Sequence, residues 1–252
     1  LPGAQHDSVS VGDVVHLLKG EGFDGLTLVM DRGMTSQENI KRITKEGFHV
    51  VGLVRGWNDE TRKLATRWSG DELEQAKYSV ETSHGTSVYA RALTAPLMGR
   101  SGMRVAVVEN LRKKAAERDA RESALRELEE GPVTAERLKE LRQTLAGLIV
   151  PSRGRRGFQV SPTMVEKDRA LDGRFLLFST DLSLDGPEMY RTYFGRDAIE
   201  KVFRTGKGDL SLGPLRYRRK DRIDAYSTVF YIAYLLWSWA ERKLRKKMPD
   251  QT

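Results

Sequence analysis

Cysteine is absent from this 252-residue chain. Disulfides and thiolate metal centres are therefore excluded, and the composition fits a reducing compartment. The four histidines, His6, His16, His49 and His84, show no ligand spacing, and no G-x4-GK[ST] phosphate loop occurs. Both absences argue against zinc hydrolysis and ATP use. Apolar runs are also short. The uncharged stretch from Ala225 to Ala240 falls below the ~20 apolar residues of a membrane span and is diluted by Tyr, Ser and Thr. A helix buried against a sheet is expected there. The chain starts Leu-Pro-Gly, with neither an initiator Met nor a basic, apolar signal segment, and reads as a piece of a longer protein.

What the chain has in surplus is positive charge. Lys and Arg number 43 against 35 Asp and Glu, a net charge of +8, which favours a polyanionic partner such as nucleic acid. The length allows one large domain with an insertion.

Along the chain, Val11, Val14, Val15 and Leu18 suggest a first helix capped by Asp7 or Ser8. Leu26 to Met30 form a short apolar block after a turn, the pattern of a buried strand, with Asp31 at its C-terminal end. An acid there suits an α/β site, and it equally suits a cap for the helix beginning near Ser36. Helix Thr35–Lys45, ended by Gly47, then leads to a strand over Phe48–Val54. Strands are expected at Val88–Ala92 and Met103–Glu109, on either side of the turn-prone PLMGRSG. Leu111 to Glu130 reads as a charged helix with Leu111, Ala115, Arg118, Glu122 and Leu125 on one face. A second helix from Thr134 makes it a solvated hairpin arm. Arg174 to Ser179 is a strand, followed by a helix from about Pro187 with Asp185 as its cap.

Tyr193 to Lys207 carries the densest chemistry. Read as one helix at about 100° per residue, it aligns Tyr193, Arg196, Glu200 and Lys207 in a polar stripe, while Ile199, Val202 and Phe203 form a separate apolar stripe. A carboxylate among cations and a hydroxyl suits a metal ion meeting a phosphodiester. A solvated face laced with i,i+4 pairs is the alternative. Further on, Arg216, Arg218, Arg219, Lys220 and Arg222 surround Tyr217 in a patch suited to DNA phosphates. The SRGRRG loop from Ser152 to Gly157 is a second basic candidate, balanced by a solvated-loop reading. Trp57 and Trp68 suit either stacking on unpaired bases or ordinary packing, and packing is the commoner fate of Trp.

The spacing Y-x2-R-x3-E-x6-K over Tyr193, Arg196, Glu200 and Lys207 resembles the signature of the insertion-sequence-four type of bacterial DDE transposases. The strand followed by Asp31-Arg32-Gly33-Met34 resembles the segment holding that family's second catalytic Asp. The Asp172-Gly173 start of the later strand also resembles the family. The resemblance implies an RNase H-like mixed α/β sheet flanked by helices, with a β-rich and helical insertion between the second and third acids. On that basis residues 1–56 begin the core, 57–157 hold the insertion, and 158–252 complete the core. It further implies catalytic and metal-binding roles for Asp31 and Glu200 with Mg²⁺ or Mn²⁺. DNA contacts fall to Tyr193, Arg196 and Lys207, joined by Arg216, Arg218 and Arg219 of the basic patch. The implied partners are transposon terminal inverted repeats and target DNA, engaged by a homodimer, with no membrane, in a prokaryotic cytoplasm. The family's first catalytic Asp lies on a strand upstream of the segment matching Leu1, and Asp7 and Asp13, in a turn and a helix start, do not replace it. The expected protein is a cut-and-paste transposase core lacking that strand. The alternatives are a catalytically dead DNA-binding remnant and a non-transposing RNase H-like nuclease.

Overall fold

A computed structural model describes residues 7–82, 85, 87–130, 134–152, 158–196 and 219–247. The chain divides into two compact units, Leu1–Tyr193 and Phe194–Thr252.

The first unit starts with α1 (Asp7–Gly20), β1 (Thr27–Met30), α2 (Gln37–Lys45) and β2 (His49–Leu53). It continues through α3 (Asp59–Ala65), α4 (Gly70–Leu73), β3 (Ser79–Glu81), β4 (Ser87–Leu97) and β5 (Arg100–Asn110). Then come α5 (Leu111–Glu130), α6 (Ala135–Thr144), β6 (Ile149–Pro151), β7 (Phe158–Val160), α7 (Pro162–Arg169), β8 (Arg174–Ser179) and α8 (Gly186–Phe194). Six strands form one sheet in the order β1-β2-β8-β5-β4-β3, and β6-β7 form a separate pair. Only the β1–β2 pairing in the large sheet is parallel, bridged by α2 as a βαβ unit; the other neighbours are antiparallel. β4 and β5, from the stretch expected as an insertion, lie in this same sheet.

Burial explains the register. Met103, Val105 and Val107 of β5 join Ile40 and Ile43 of α2 in one core, while Ala106 and Val108, pointing to the opposite face, are also fully buried. A strand covered on both faces reads as a continuous apolar run. Gly52 lies where a Cβ would come within 2.8 Å of the Phe178 ring, so its missing side chain lets β8 pack against β2. The β4–β5 hairpin is longer than its sequence suggests. Its turn is only Met98-Gly99, both at positive φ (53° and 71°), the backbone of a tight two-residue connection. Met in that conformation gives no turn signal.

α5 leaves β5 directly at Asn110. Its buried residues are Arg121, Ala124 and Leu128, a different face from the expected Leu111–Leu125 stripe. Ala124 and Leu128 meet Leu141, Leu145, Leu148 and Val165 in a small second core. The hairpin is thus anchored, which corrects the reading of a merely solvated arm. Beneath it, Gly173 sits at φ +71°, donates its N–H to Glu117 Oε2 at 2.7 Å and accepts from the Asn110 N–H at 3.0 Å. An added Cβ would lie 2.5 Å from the Asn110 carbonyl oxygen and 2.8 Å from the Lys114 backbone nitrogen. Gly173→Ala is therefore expected to lower unfolding stability by about 2–4 kcal/mol, from left-handed strain plus overpacking. An unchanged urea midpoint would contradict this packing.

In the second unit, α9 (Lys220–Lys247) is one long helix. Its Val229, Ile232, Leu236 and Trp239 are 65%, 52%, 63% and 58% exposed, so the described residues of this unit do not themselves cover its apolar run. Even so, no described helix is long and apolar enough to cross a membrane.

Candidate active site

Asp31 follows the last residue of β1. Its Oδ1 accepts from the Arg32 N–H at 2.7 Å and its carbonyl from the Met34 N–H at 2.9 Å, a tight turn that leaves Asp31 exposed. Thr35 Oγ1 donates to the Arg32 carbonyl at 3.2 Å, and Asn39 Nδ2 donates to the Met34 carbonyl at 2.9 Å, fixing the turn from beneath. The helix that follows is capped by Ser36, whose Oγ accepts from the Asn39 N–H at 3.1 Å. Asp31 is therefore not the cap of α2.

The sheet places other groups at the same end. β1 and β2 run parallel, so Asp31 and the β2–α3 loop bearing Trp57 leave the sheet on one side. β8 is antiparallel to β2, which puts its start at Asp172-Gly173-Arg174 on that side as well. The Glu109↔Arg174 pairing brings the end of β5 there too. Strand C-terminal ends of this kind are where open α/β sheets bind ligands.

Asp172 is a carboxylate at that end, but it is committed elsewhere. Arg121 Nη1 and Nη2 each donate to it at 2.5 Å, and Nη1 also donates to Asp168 at 3.2 Å. Hydrogen bonding to Asp172 raises the Arg121 pKa against the opposing effect of burial, so the guanidinium stays charged. Next to this pair, Arg174 Nε donates to Glu109 at 3.0 Å, and its Nη1 donates to the Ala65 and Trp68 carbonyls. Lys114 Nζ lies 3.3 Å from Glu109. Both buried ion pairs were missed in the sequence, because their partners are far apart along the chain. Asp181 lies at the opposite end of β8, where the Ser183 hydroxyl and then its N–H hold its carboxyl below the usual carboxylate range.

Tyr193 is buried, at 2% exposed, in the last turn of α8. That helix is capped at its start by Asp185, which accepts from the Glu188 N–H at 2.8 Å while Glu188 accepts from the Asp185 N–H at 3.0 Å. It ends at Phe194, and Gly195 and Arg196 form a turn. One unbroken helix running from Tyr193 is therefore corrected; Gly is a poor helix residue and interrupts it. Glu200, Lys207, Arg216 and Arg218 lie outside the described residues, as does most of the SRGRRG loop. Arg219 is exposed and paired with Asp221, Nη2 to Oδ2 at 2.7 Å.

The two tryptophans separate cleanly. Trp68 packs against the main core with the Arg91 guanidinium stacked 4.2 Å from its ring, whereas Trp57 is 37% exposed. Ordinary packing holds for Trp68.

As for metals, no group of three or more His, Cys, Asp or Glu able to hold an ion occurs among the described residues. Asp31, an exposed hard-oxygen donor on a fixed turn at a strand end, suits one ligand position for a divalent cation.

No curated protein and no solved structure matches the chain. A family model does match, that of the transposase DDE domain, over residues 1–236. DDE transposases act on DNA and generally depend on divalent metal ions. With that match spanning nearly the whole sequence, and an acid at the C-terminal end of β1 in a mixed α/β sheet, the chain belongs to the transposase DDE domain family.

Proposed function

We propose that this chain is the catalytic core of a cut-and-paste transposase of the insertion-sequence-four type. It works as a homodimer on terminal inverted repeats and target DNA in a prokaryotic cytoplasm. Asp31 and Glu200 hold Mg²⁺ or Mn²⁺, and Arg196, Lys207, Arg216, Arg218 and Arg219 engage the DNA, while Tyr193, with 2% of its surface exposed, supports the end of α8 from within. The observation that carries the proposal is the place of Asp31, exposed on a preorganised turn at the end of β1 and not spent on capping α2. When bound, divalent ions would activate the attacking oxygen and stabilise the leaving oxygen of an in-line displacement. The chain's part is to fix the Asp31 carboxylate and position the phosphodiester through its cations.

A strand upstream of this segment completes the site in the same proposal. Among the described residues β1 has a strand partner on one edge only, and Leu26 and Val29 beside it are each 37% exposed. Unpaired edges of this kind invite an added strand. A catalytically dead DNA-binding remnant is the second reading. It draws support from Asp172, a further carboxylate at this sheet end, being locked to Arg121.

Both readings predict DNA binding by the present chain, and salt dependence tests it. Each neutralised phosphate contributes about −0.9 to the slope of log affinity against log salt. Lys207→Ala should flatten that slope by about one contact, and light scattering of the complex should report two chains. A salt-independent affinity for duplex DNA would sink both readings. Identical slopes for the two proteins would remove Lys207 from the phosphate ligands.

A further inference from the structure

The turn that carries Asp31 is exposed, yet it rests on buried supports. Its opening residue accepts from its closing one, the Asp31 carbonyl from the Met34 N–H at 2.9 Å, and the Arg32 N–H holds Asp31 Oδ1 at 2.7 Å. A surface turn held only by such local bonds opens easily, because few contacts oppose its local unfolding. This one is tied down twice more.

The first tie is Asn39. α2 buries it on the same face as Ile40 and Ile43, where a polar side chain is costly unless it is hydrogen-bonded. Its Nδ2 donates to the Met34 carbonyl at 2.9 Å, two residues before the Ser36 cap of its own helix. The closing residue of the turn is thereby locked to the first turn of α2. The second tie is Thr35, 8% exposed, whose Oγ1 donates to the Arg32 carbonyl at 3.2 Å. Its methyl group lies over Gly52, where an added Cβ would stand 2.9 Å from Thr35 Cγ2. Gly52 is the direct partner of Met30 in the β1–β2 pairing, so the turn rests on the strand beside its own.

We infer that Asn39, seconded by Thr35, is a positioning residue that sets the aim of the Asp31 carboxylate toward a divalent cation. This rests on the metal-binding reading of Asp31 above. Both residues act through Asp31 and not as ligands. A reacting constellation has to be held within about 0.5 Å and 10–20°, and an exposed acid has no packing of its own to supply that precision. The buried amide supplies it from the far side of the turn. Outer-shell partners of metal ligands are typically worth 10–100-fold in metal affinity or activity, which sets the size of the expected effect.

The test needs no DNA cleavage. Mn²⁺ held at Asp31 broadens the amide NMR signals of Arg32, Gly33 and Met34, and the Mn²⁺ concentration that halves them reads affinity. Hydrogen exchange at the Met34 amide reads the turn itself. Asn39→Leu keeps the buried volume and removes the donor, so it should raise the half-broadening concentration at least ~10-fold and speed Met34 exchange. Thr35→Val, isosteric but without the hydroxyl, should shift both in the same direction by a smaller factor, and it decides alone if Asn39→Leu does not fold. Gly173→Ala, which lowers stability away from the turn, should leave the Mn²⁺ concentration unchanged. Parent-like Mn²⁺ titrations in Asn39→Leu and Thr35→Val, with Met34 exchange faster, would show that these bonds serve the fold alone and overturn the inference, leaving Asp31 a metal ligand. An equal loss of affinity in Gly173→Ala would overturn it as well, by tracing the effect to stability in general. Signals that ignore Mn²⁺ in the parent, or respond equally in Asp31→Asn, would overturn both the inference and the metal reading of Asp31.

Discussion

On the proposed reading, replacing Glu200 with Gln should slow metal-dependent nicking of terminal-repeat DNA by a cleavage-competent form of the protein more than ~100-fold. Loss of an outer-shell partner alone typically costs 10–100-fold in metal affinity or activity, so loss of a ligand should exceed it. Gln keeps the size and hydrogen-bonding edge of Glu but removes the charge that a hard divalent cation requires. DNA binding should persist, and tighten slightly as one repulsion with phosphate disappears. Asp31→Asn should behave alike, since Asp31 sits on a turn whose geometry rests on its neighbours' hydrogen bonds. A nicking time course with Mg²⁺ on labelled ends decides it. Equal rates for the parent and the Glu200→Gln form would remove Glu200 from the catalytic set, and equal rates for Asp31→Asn would remove Asp31.

The strand end and turn that hold Asp31 were legible in the sequence because their signal is local: an apolar block, an acid and a turn occur within a few residues. The same holds for β8, whose bounds Arg174–Ser179 match the apolar run, and for the cap Asp185. Non-local features left less trace. α5 buries an Arg and an Ala, which hydrophobic periodicity does not count, so its inward face was misread. The helix expected from Tyr193 failed at Gly195, where a residue tolerated in a helix pattern marks a turn. Trp57 and Trp68 were indistinguishable as letters. They separate only in the fold, where Arg91, on β4, stacks on Trp68 while Trp57, on the β2–α3 loop, keeps 37% of its surface exposed.

The largest stability loss is expected at the junction of α5 with the sheet. Arg121 and Asp172 are 3% and 6% exposed and share two hydrogen bonds of 2.5 Å. Each was desolvated on folding, and each is compensated by the other. Arg121→Ala leaves the Asp172 charge buried among groups already spent, at a cost of about 3–5 kcal/mol. Asp168 is different, because its side chain is 43% exposed and its bond to Arg121 is 3.2 Å. Water can replace that partner, so Asp168→Asn should cost less than ~1 kcal/mol. Substituting both buried partners by apolar residues of similar size, Arg121→Met with Asp172→Leu, removes both charges together and should recover most of the loss. Urea unfolding of the singles and the double closes the cycle. An Arg121→Ala variant as stable as the parent would mean that the helix is held by the Ala124 and Leu128 packing and that the ion pair is incidental, and a double variant no more stable than Arg121→Ala would show that the stranded Asp172 charge is not the source of the loss.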